Sequence, residues 1–343
     1  MQNELPTDRT GDVTVLKKIA TAVFILMGAI SCSPARADSD MFSGKTITYV
    51  VATKPGGGYD AMGRLVAKYL ELHLTGSQVT VKNVPGAGHL IGAETIYASE
   101  PDGLTIGTFN TGLIYSQLRG AVEGKIDLSK FSWIGKAATE TRVVMVAAKS
   151  NFKSIDDFKN YAGQLKIAVN GKGSPQHLES TLIAKTLGWN IKAIFGFEGT
   201  ESEMSLLRGE VDATIGSRSS LQNYVDTGQG RFILEVGGKP GSDIPQFDKL
   251  ATTEQAKAIV TLINSQAKYA RITAGPPGIP EDRLKVLRSA YMAAVADPNF
   301  IAEAEKAGLA IDAANGDDMS KHIEASLTQP PETIALINSI MEE

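Results

Sequence analysis

Three consecutive glycines, Gly56, Gly57 and Gly58, stand between an apolar strand pattern at residues 46–51 and a helix pattern. The helix carries apolar residues at the i, i+3, i+4, i+7, i+8 spacing of one buried face. Glycines let the backbone turn tightly and leave its N–H groups free. At the start of a helix those donors and the positive end of the dipole favour an anion. This first glycine loop therefore predicts a carboxylate or phosphate site. Its candidate residues are Pro55, Gly56, Gly57, Gly58, Tyr59 and Asp60.

A second loop of the same kind follows soon after. Residues 79–84 form a strand pattern that runs into Pro85-Gly86-Ala87-Gly88-His89, and the next helix begins near Gly92. Two adjacent strand ends that each present a glycine loop predict a cleft for a small anion. The candidate residues of this second loop are Gly86, Ala87, Gly88 and His89, of which His89 is the strongest candidate for a ligand contact.

The elements that must position these loops alternate between strand and helix, which predicts an α/β fold with mostly parallel sheets flanked by helices. The predicted strands are residues 46–52, 79–84, 104–109, 143–148, 165–169, 191–195, 211–215, 232–236 and 269–274. The C-terminal helices need a sheet to cover, and the first sheet is the natural host. We therefore predict two domains joined by two hinge strands: domain 1 from residues 41–142 plus 269–343, and domain 2 from residues 143–268.

Further turns follow the predicted strands in both domains. The carboxyl ends of parallel strands line the binding crevice of an open α/β sheet, so these turns should face the same cleft. They supply the remaining site candidates, which are Asn110, Thr111, Ser174, His177, Phe197, Ser217 and Arg218.

The N-terminus resembles a secretory signal. Lys17 and Lys18 precede an apolar run at residues 19–30, and an Ala-x-Ala site ends at Ala37. The run is too short to span a bilayer, so residues 1–37 are predicted to be a signal peptide and the protein to be periplasmic. Cys32, the only cysteine, leaves a lipid-anchored form open as the alternative. Cleavage after Ala37 would leave a mature chain with no disulfide.

Composition and spacing argue against several function classes. The chain has 34 Lys+Arg against 38 Asp+Glu, and no basic run resembles a nucleic-acid patch. Gly86-x-Gly88-x-x-x-Gly92 resembles one form of a dinucleotide fingerprint, but no acidic residue ends the following strand. The four histidines are dispersed and no Gly-x-Ser-x-Gly elbow is present. We therefore predict no enzyme, no metal and no cofactor; an exported Rossmann-like enzyme is a distant alternative.

Motifs along the whole mature chain resemble one family. They are Pro55-Gly-Gly-Gly-x-Asp60-x-x-x-Arg64, then Asn83-x-Pro85-Gly86-Ala87-Gly88, Pro101-Asp102-Gly103, Gly173-Ser174-x-x-His177, Leu206-Leu207-x-Gly209-x-Val211-Asp212 and Pro276-Pro277-Gly278-Ile279-Pro280. This order is similar to that of the tripartite tricarboxylate transporter substrate-binding proteins, also called the Bug family.

The resemblance implies a type II-like periplasmic binding protein whose two α/β domains close on a small organic acid. It implies delivery of that acid to two integral membrane subunits of a secondary transporter, and a monomeric receptor. In this family the first two glycine loops hold one carboxylate through main-chain groups and water. The same fold and cleft would also serve a ligand-binding module for a sensor kinase.

Departures from the family pattern bear on the ligand. Many members carry an Asp near residue 216, whereas this chain reads Ile215-Gly216-Ser217-Arg218. Arg218 could pair with a second carboxylate, which favours a dicarboxylate or an aromatic acid over an amino acid, or it could be a solvated loop arginine.

Several candidates also have purely structural interpretations. Asp60 is expected to cap its helix and pair with Arg64. Thr200 and Glu203 fit a capping box. Ser174 fits an N-cap before Pro175, with a ligand contact as the alternative. For His177 packing is favoured, and for Tyr59 and Phe197 the sequence leaves cleft wall and packing open.

Overall fold

The computed structural model describes residues 1–2, 39–238 and 242–341. Apart from residues 1–2, the predicted signal peptide at residues 1–37 lies outside the described residues, and so does Cys32. In chain order the strands are β1 Thr46–Val51, β2 Gln78–Asn83, β3 Thr105–Thr108, β4 Ser132–Ala138, β5 Arg142–Ala147, β6 Leu165–Val169, β7 Ile191–Phe195, β8 Ala213–Ser217, β9 Gly230–Val236, β10 Ala270–Gly275 and β11 Ala314–Asn315.

The helices alternate with these strands through most of the chain. They are α1 Gly58–His73, α2 Leu90–Tyr97, α3 Leu113–Leu118, α4 Ile155–Lys159, α5 Pro175–Leu187, α6 Glu201–Arg208, α7 Arg218–Asp226, α8 Phe247–Leu250, α9 Glu254–Ala267, α10 Glu281–Ala296, α11 Pro298–Lys306, α12 Gly316–Leu327 and α13 Pro331–Met341. Short 3₁₀ helices span Ser39–Phe42, Ala87–His89 and Leu128–Lys130. Among the described residues no helix is both long and apolar enough to cross a bilayer.

In the described part of the chain the strands form two sheets. The first has the order β11-β4-β10-β3-β1-β2, and the second has the order β7-β6-β8-β5-β9. β1 pairs in parallel with β2 and β3, and β6 does so with β7 and β8. The α/β class is confirmed, and both sheets are mixed rather than mostly parallel. The reason is that β4, β5 and β10, which adjoin the points where the chain passes between the sheets, pair antiparallel with their neighbours.

Each sheet is covered on both faces, which explains the apolar character of its strands. Alternate residues of β5 show how one strand serves two cores. Val144 and Val146 pack with α4, α5, α8 and α9, whereas Val143 and Met145 pack with α6 and α7. In the first sheet, α1, α10 and α11 cover one face, and α2, α3 and α12 cover the other.

Within the described residues the chain leaves the first sheet at residues 139–141, between β4 and β5, and returns to it at residues 268–269, between α9 and β10. The C-terminal helix α13 then packs against α5, which covers the second sheet. All nine strands expected from the sequence are present, with ends shifted by one or two residues. β4 was missed because Gly135 and Lys136 interrupt its apolar pattern. Lys136 is buried there because its ammonium group contacts Asp312 at 2.9 Å. β11, only two residues long, was also missed. The division into domains 41–142 plus 269–343 and 143–268 stays a prediction.

Candidate functional site

A cavity of about 290 Å³ lies between the loops of the two sheets. Its lining comes from the carboxyl ends of β1, β2 and β3 in the first sheet and of β6, β7 and β8 in the second. This is the edge at which open α/β sheets bind ligands. The volume suits a small molecule, because pockets for drug-sized ligands begin near ~300 Å³.

Four of the helices whose first turns line this cavity begin without a side-chain cap, whereas α5, which reaches the lining at Gln176, is capped by Ser174. The N-cap residues of α1, α2, α6 and α7 all line it, and none of them accepts a hydrogen bond from its own helix: they are Gly57, His89, Thr200 and Ser217. By contrast, side chains cap α5, α9, α11 and α12, whose N-cap residues lie outside the cavity lining. α3, α8 and α10 also lack a side-chain cap, at N-cap residues outside the lining. Uncapped first turns leave N–H groups available to an anion.

The second glycine loop has an unusual backbone. Four consecutive residues have positive φ: Gly86 at 128°, Ala87 at 49°, Gly88 at 61° and His89 at 79°. Positive φ is uncommon for residues with a side chain and costs roughly 1–3 kcal/mol where it persists. Such strain is concentrated at functional sites, so this loop supports a binding role.

A buried ion pair forms part of the cavity wall. Arg142 donates from Nε and Nη2 to Glu179 Oε2 at 2.9 and 2.6 Å, and from Nη1 to Ser217 Oγ at 3.1 Å. Burial opposes the charge of Arg142, but Glu179 outweighs it, so the pKa of the guanidinium is raised. Arg142 therefore stays charged beside the first turn of α7.

A second ion pair lies where the two sheets meet. Arg271 on β10 donates to Glu140 Oε1 at 3.1 Å and to Ser220 Oγ at 2.9 Å. Its guanidinium lies 4.2 Å from the centroid of the Tyr59 ring, which is 4.9 Å from the His89 ring. Arg271 thus links the first glycine loop, the crossing at residues 139–141 and the start of α7.

His89 and Glu203 are the buried titratable groups of the lining outside these pairs. Burial and the Arg271 charge lower the pKa of His89 to about 4, so its ring is neutral near pH 7. Its Nδ1 is buried with no partner among the described residues. Burial raises the pKa of Glu203, and hydrogen bonds from its own backbone N–H and from Ser202 offset this in part. Among the described residues, Glu203 is therefore a buried acidic side chain of the lining that has no cation next to it.

Loops of the two sheets touch beside the cavity. A Cβ placed on Gly57 would lie 3.5 Å from the backbone of Gly199, so only a small residue allows this approach. Lys54 Nζ contacts Glu201 Oε1 at 2.8 Å across the same gap.

Comparison with known proteins agrees with this geometry. The family model described as tripartite tricarboxylate transporter family receptor matches residues 62–339. The chain belongs to that receptor family.

Individual relatives are distant. A protein of Pseudomonas sp. (strain P51), described as the UPF0065 protein in the tcbD-tcbE intergenic region, is 27% identical over 290 residues, covering 82% of this chain and 83% of that protein. The structure of the periplasmic binding protein BugD has a TM-score of 0.72 at 21% identity, covering 86% of this receptor and 97% of that chain. The structure of R. palustris Rpa4515 with adipate has a TM-score of 0.69 at 22% identity, covering 86% and 97%. At these identities the structures show a shared fold.

The structure brings seven of the sequence-predicted site residues into the cavity lining of the receptor. They are Gly56, Gly57, Gly58, Tyr59, His89, Asn110 and Ser217. The other ten do not line it: they are Pro55, Asp60, Gly86, Ala87, Gly88, Thr111, Ser174, His177, Phe197 and Arg218.

Of these ten residues, Asp60 contacts the first glycine loop and Ser174 caps α5. Asp60 accepts hydrogen bonds from Arg64, Asn83 and the Gly56 N–H, at 3.0, 2.9 and 3.0 Å. Burial opposes the ionised form of Asp60, but these bonds outweigh it, so its pKa lies below the ordinary value. The expected pair with Arg64 is present, but Asp60 holds the loop and does not cap the helix. Ser174 caps α5 as expected, accepting from the His177 N–H at 3.2 Å.

Three others contact protein groups outside the cavity. The His177 ring packs edge-on against Phe195, at 5.1 Å between centroids. Thr111 Oγ1 donates to the Tyr269 carbonyl at 3.0 Å, next to a crossing between the sheets. Phe197 packs on the core beside α6 and α7.

Arg218 is the main departure from the sequence-based interpretation. Its Nη1 contacts Glu235 Oε1 at 2.6 Å, and its guanidinium lies 5.5 Å from the Phe232 ring centroid. It lines a neighbouring cavity of about 760 Å³ instead. Glu235 is buried and needs a cation, and this accounts for Arg218 without a ligand.

The capping box expected at Thr200 and Glu203 is absent. Thr200 makes no side-chain cap, and it is Glu201 that reaches back, accepting from the Glu198 N–H at 2.9 Å. Glu203 is buried and is one of the residues that line the cavity.

Sequence reasoning also missed Arg142, Glu179 and Arg271. Each is a charged residue in an otherwise apolar strand or helix pattern. A charged residue at an apolar position is the signal by which they could have been predicted.

Proposed function

We propose that this receptor binds one small organic carboxylate in the cavity between its two sheets. The observation that carries the proposal is the convergence of the uncapped first turns of α1, α2 and α7 on one cavity. α6 also begins there without a side-chain cap on its N-cap residue, but the carboxyl group of Glu203 lies in its first turn. Elsewhere in the fold α4, α5, α9, α11 and α12 have side-chain caps, whereas α3, α8 and α10 do not. The distinctive feature of the cavity is therefore that several uncapped first turns meet there, where a carboxylate would use their N–H groups. Arg142 adds a fixed positive charge to the same wall.

The hydrogen bonds that such a site offers are sufficient to bind a carboxylate without a metal or a buried lysine. Hydrogen bonds to a charged group contribute roughly 1.5–3 kcal/mol each. A helix terminus adds about 0.3–1 kcal/mol. Three or four such contacts offset the cost of ordering the ligand and reach about −8 kcal/mol, which is micromolar binding.

Binding is proposed to proceed by hinge closure. The two sheets would mark two domains, 41–142 plus 269–343 and 143–268, which move about the crossings at residues 139–141 and 268–269. Contacts across the cavity would form on closure: Lys54 with Glu201, Gly57 against Gly199, and Arg271 with Ser220.

The cellular role follows from the family and from the N-terminus. We infer export by the residue 1–37 signal, with a soluble periplasmic form favoured over a lipid anchor at Cys32. The receptor would act as a monomer that delivers the acid to two membrane subunits of a tripartite tricarboxylate-type transporter. No role in catalysis or nucleic-acid binding is proposed.

A dicarboxylate or an aromatic acid was favoured through Arg218, which is paired with Glu235. Arg142, which lines the cavity, is likewise paired, with Glu179, so we assign a second ligand carboxylate to neither arginine. The solved structure of similar fold that holds adipate supports a small acid as ligand.

The test is a thermal-shift screen of the purified protein with mono-, di- and tricarboxylates, aromatic acids and amino acids. Ligand binding to the folded state raises its stability by RT ln(1 + [L]/Kd), so a micromolar ligand at millimolar concentration gives a clear shift. A shift with one acid class, together with loss of uptake of that acid in a strain lacking the receptor, is the expected result. No shift with any carboxylate contradicts the proposal, and a shift without an uptake defect favours the sensor-kinase role.

A further inference from the structure

Glu203 is an unusual component of an anion-binding cavity. It is the third residue of α6, is only 7% exposed, and lines the cavity between the sheets. Its Oε2 accepts a hydrogen bond from Ser202 Oγ at 2.9 Å, and its carboxyl group also accepts one from its own backbone N–H. Within the described residues it forms no ion pair, and a neutral hydroxyl does not compensate a buried negative charge.

The other buried charges near the cavity balance one another. Arg142 pairs with Glu179, and Arg271 pairs with Glu140, each at hydrogen-bond distance. His89 is neutral near pH 7. The charge that remains uncompensated in the lining is therefore that of Glu203. Burial raises its pKa, which agrees with the absence of a cation beside it.

This balance gives the cavity two unlike ends. The first turns of α1, α2 and α7 offer N–H groups, with Arg142 beside α7, and form the end that receives a carboxylate. At α6 the carboxyl group of Glu203 already lies in the first turn, where the helix dipole favours a negative charge. A second ligand carboxylate at that end would meet Glu203 directly and be repelled.

An unpaired buried carboxyl group costs stability unless something bound there compensates it. A carboxylate oxygen only accepts hydrogen bonds, so its complement is an O–H or N–H group. Tyr224 and Leu221 line the same cavity and close it with apolar surface. The lining therefore combines a hydrogen-bond acceptor at Glu203 with apolar surface, and this combination suits a donor group carried on a small carbon skeleton.

We propose that Glu203 is a specificity-determining residue that accepts a hydrogen bond from a hydroxyl or ammonium group at the far end of the bound acid. The ligand class is then a monocarboxylate with a donor group, a hydroxy acid or an amino acid, in place of a plain dicarboxylate. This inference rests on the proposed function, since it assumes a carboxylate at the other end of the cavity.

The test is isothermal titration calorimetry with two matched series of acids. The first is butanoate, 3-hydroxybutanoate and 3-aminobutanoate; the second is benzoate, 4-hydroxybenzoate and 4-(aminomethyl)benzoate. The wild-type receptor is expected to bind a donor-bearing member at least tenfold more tightly than the plain acid in one series. The hydroxy and amino members distinguish the two sources of the donor.

Variants separate Glu203 from general effects on the fold. Glu203→Ala should reduce the preference to within twofold while still binding the plain acid. Glu203→Gln, which keeps the shape and one acceptor oxygen, should retain a preference for the hydroxy acid and lose one for the amino acid. Glu198→Gln is the control, because Glu198 precedes the same helix and does not line the cavity. Circular dichroism confirms that each variant is folded.

Two results would overturn the inference. One is a wild-type receptor that binds plain and donor-bearing acids equally; the other is a Glu203→Ala variant that weakens all members by the same factor. Both leave the receptor function intact, since an acid still binds. Absence of binding by every acid in both series would instead contradict the proposed function and this inference together.

Discussion

Replacing Gly58 with alanine tests whether the approach of the two sheets controls binding. Gly58 is the first residue of α1, and a Cβ there would lie 2.2 Å from Ser220 Oγ, 3.2 Å from Ser220 Cβ and 2.8 Å from Arg271 Nη2. Ser220 begins α7 beside the second sheet. The added methyl group therefore meets the loops at the point where they close, and the hydrogen bond between Arg271 and Ser220 must break to admit it.

The size of the effect follows from overpacking. Inserting a methyl group into a packed contact costs typically 1–3 kcal/mol. If that cost falls on the closed form alone, the Kd for the acid should rise by roughly 5- to 150-fold, at 1.4 kcal/mol per factor of ten. The melting temperature without ligand should change little, because the open form has room for the methyl group.

Two neighbouring glycines supply the controls. A Cβ on Gly57 would lie 3.5 Å from Gly199, an ordinary contact, and its φ of −90° suits alanine. Gly57→Ala should therefore bind nearly as well as the wild type. A Cβ on Gly63 would lie 2.6 Å from Val51 inside the first sheet's core, so Gly63→Ala should lower the melting temperature. The assay is calorimetric Kd alongside thermal unfolding. Unchanged binding by Gly58→Ala, or equal weakening by Gly57→Ala, would refute the reasoning.

Three further variants test the remaining electrostatics and capping. Glu203→Gln should raise the melting temperature near pH 7. Burial raises the pKa of Glu203 in the folded state, so the folded form binds more protons than the unfolded form and the free energy of unfolding falls as the pH rises through the folded-state pKa. An increase in melting temperature that is no larger near pH 7 than near pH 4 would contradict this. Arg218→Ala should leave the Kd within twofold but lower the melting temperature, because it leaves buried Glu235 without its cation. Arg142→Ala should weaken binding at least tenfold. If calorimetry gave the reverse ranking of the two variants, Arg218 would be the ligand contact. Ser174→Ala should lower the free energy of unfolding by about 1 kcal/mol through the lost cap of α5, which corresponds to about 2–4 °C in melting temperature. An unchanged melting temperature would show that the cap does not stabilise the fold.

The strand ends and the first glycine loop could be predicted because local sequence determines them. β6 and β7 begin and end where the apolar pattern does, and Gly56–Gly58 line the cavity as the strand-glycine-helix order implies. These features depend on periodicity and on turn chemistry, both of which are visible within a short window of sequence.

What could not be predicted depends on contacts between distant residues. The sheets are mixed because β4, β5 and β10, which adjoin the points where the chain passes between the sheets, pair antiparallel with their neighbours. The sequence of a single strand does not determine the direction in which it pairs. Arg218 looked like a ligand for a carboxylate, but its partner is Glu235, 17 residues away. The role of Glu203 was hidden because its neighbour Glu201 makes the local reach-back contact that a capping box would assign to Glu203.

The central claim is that a carboxylate binds at the uncapped first turns around the cavity. A crystal structure of the receptor with the acid identified by thermal shift tests it most directly. The account predicts carboxylate oxygens within hydrogen-bond distance of N–H groups at Gly57–Tyr59 or Ser217–Ser219, on the Arg142 side of the cavity. An acid bound with its carboxylate against Glu203, or in the neighbouring cavity beside Arg218, would contradict it.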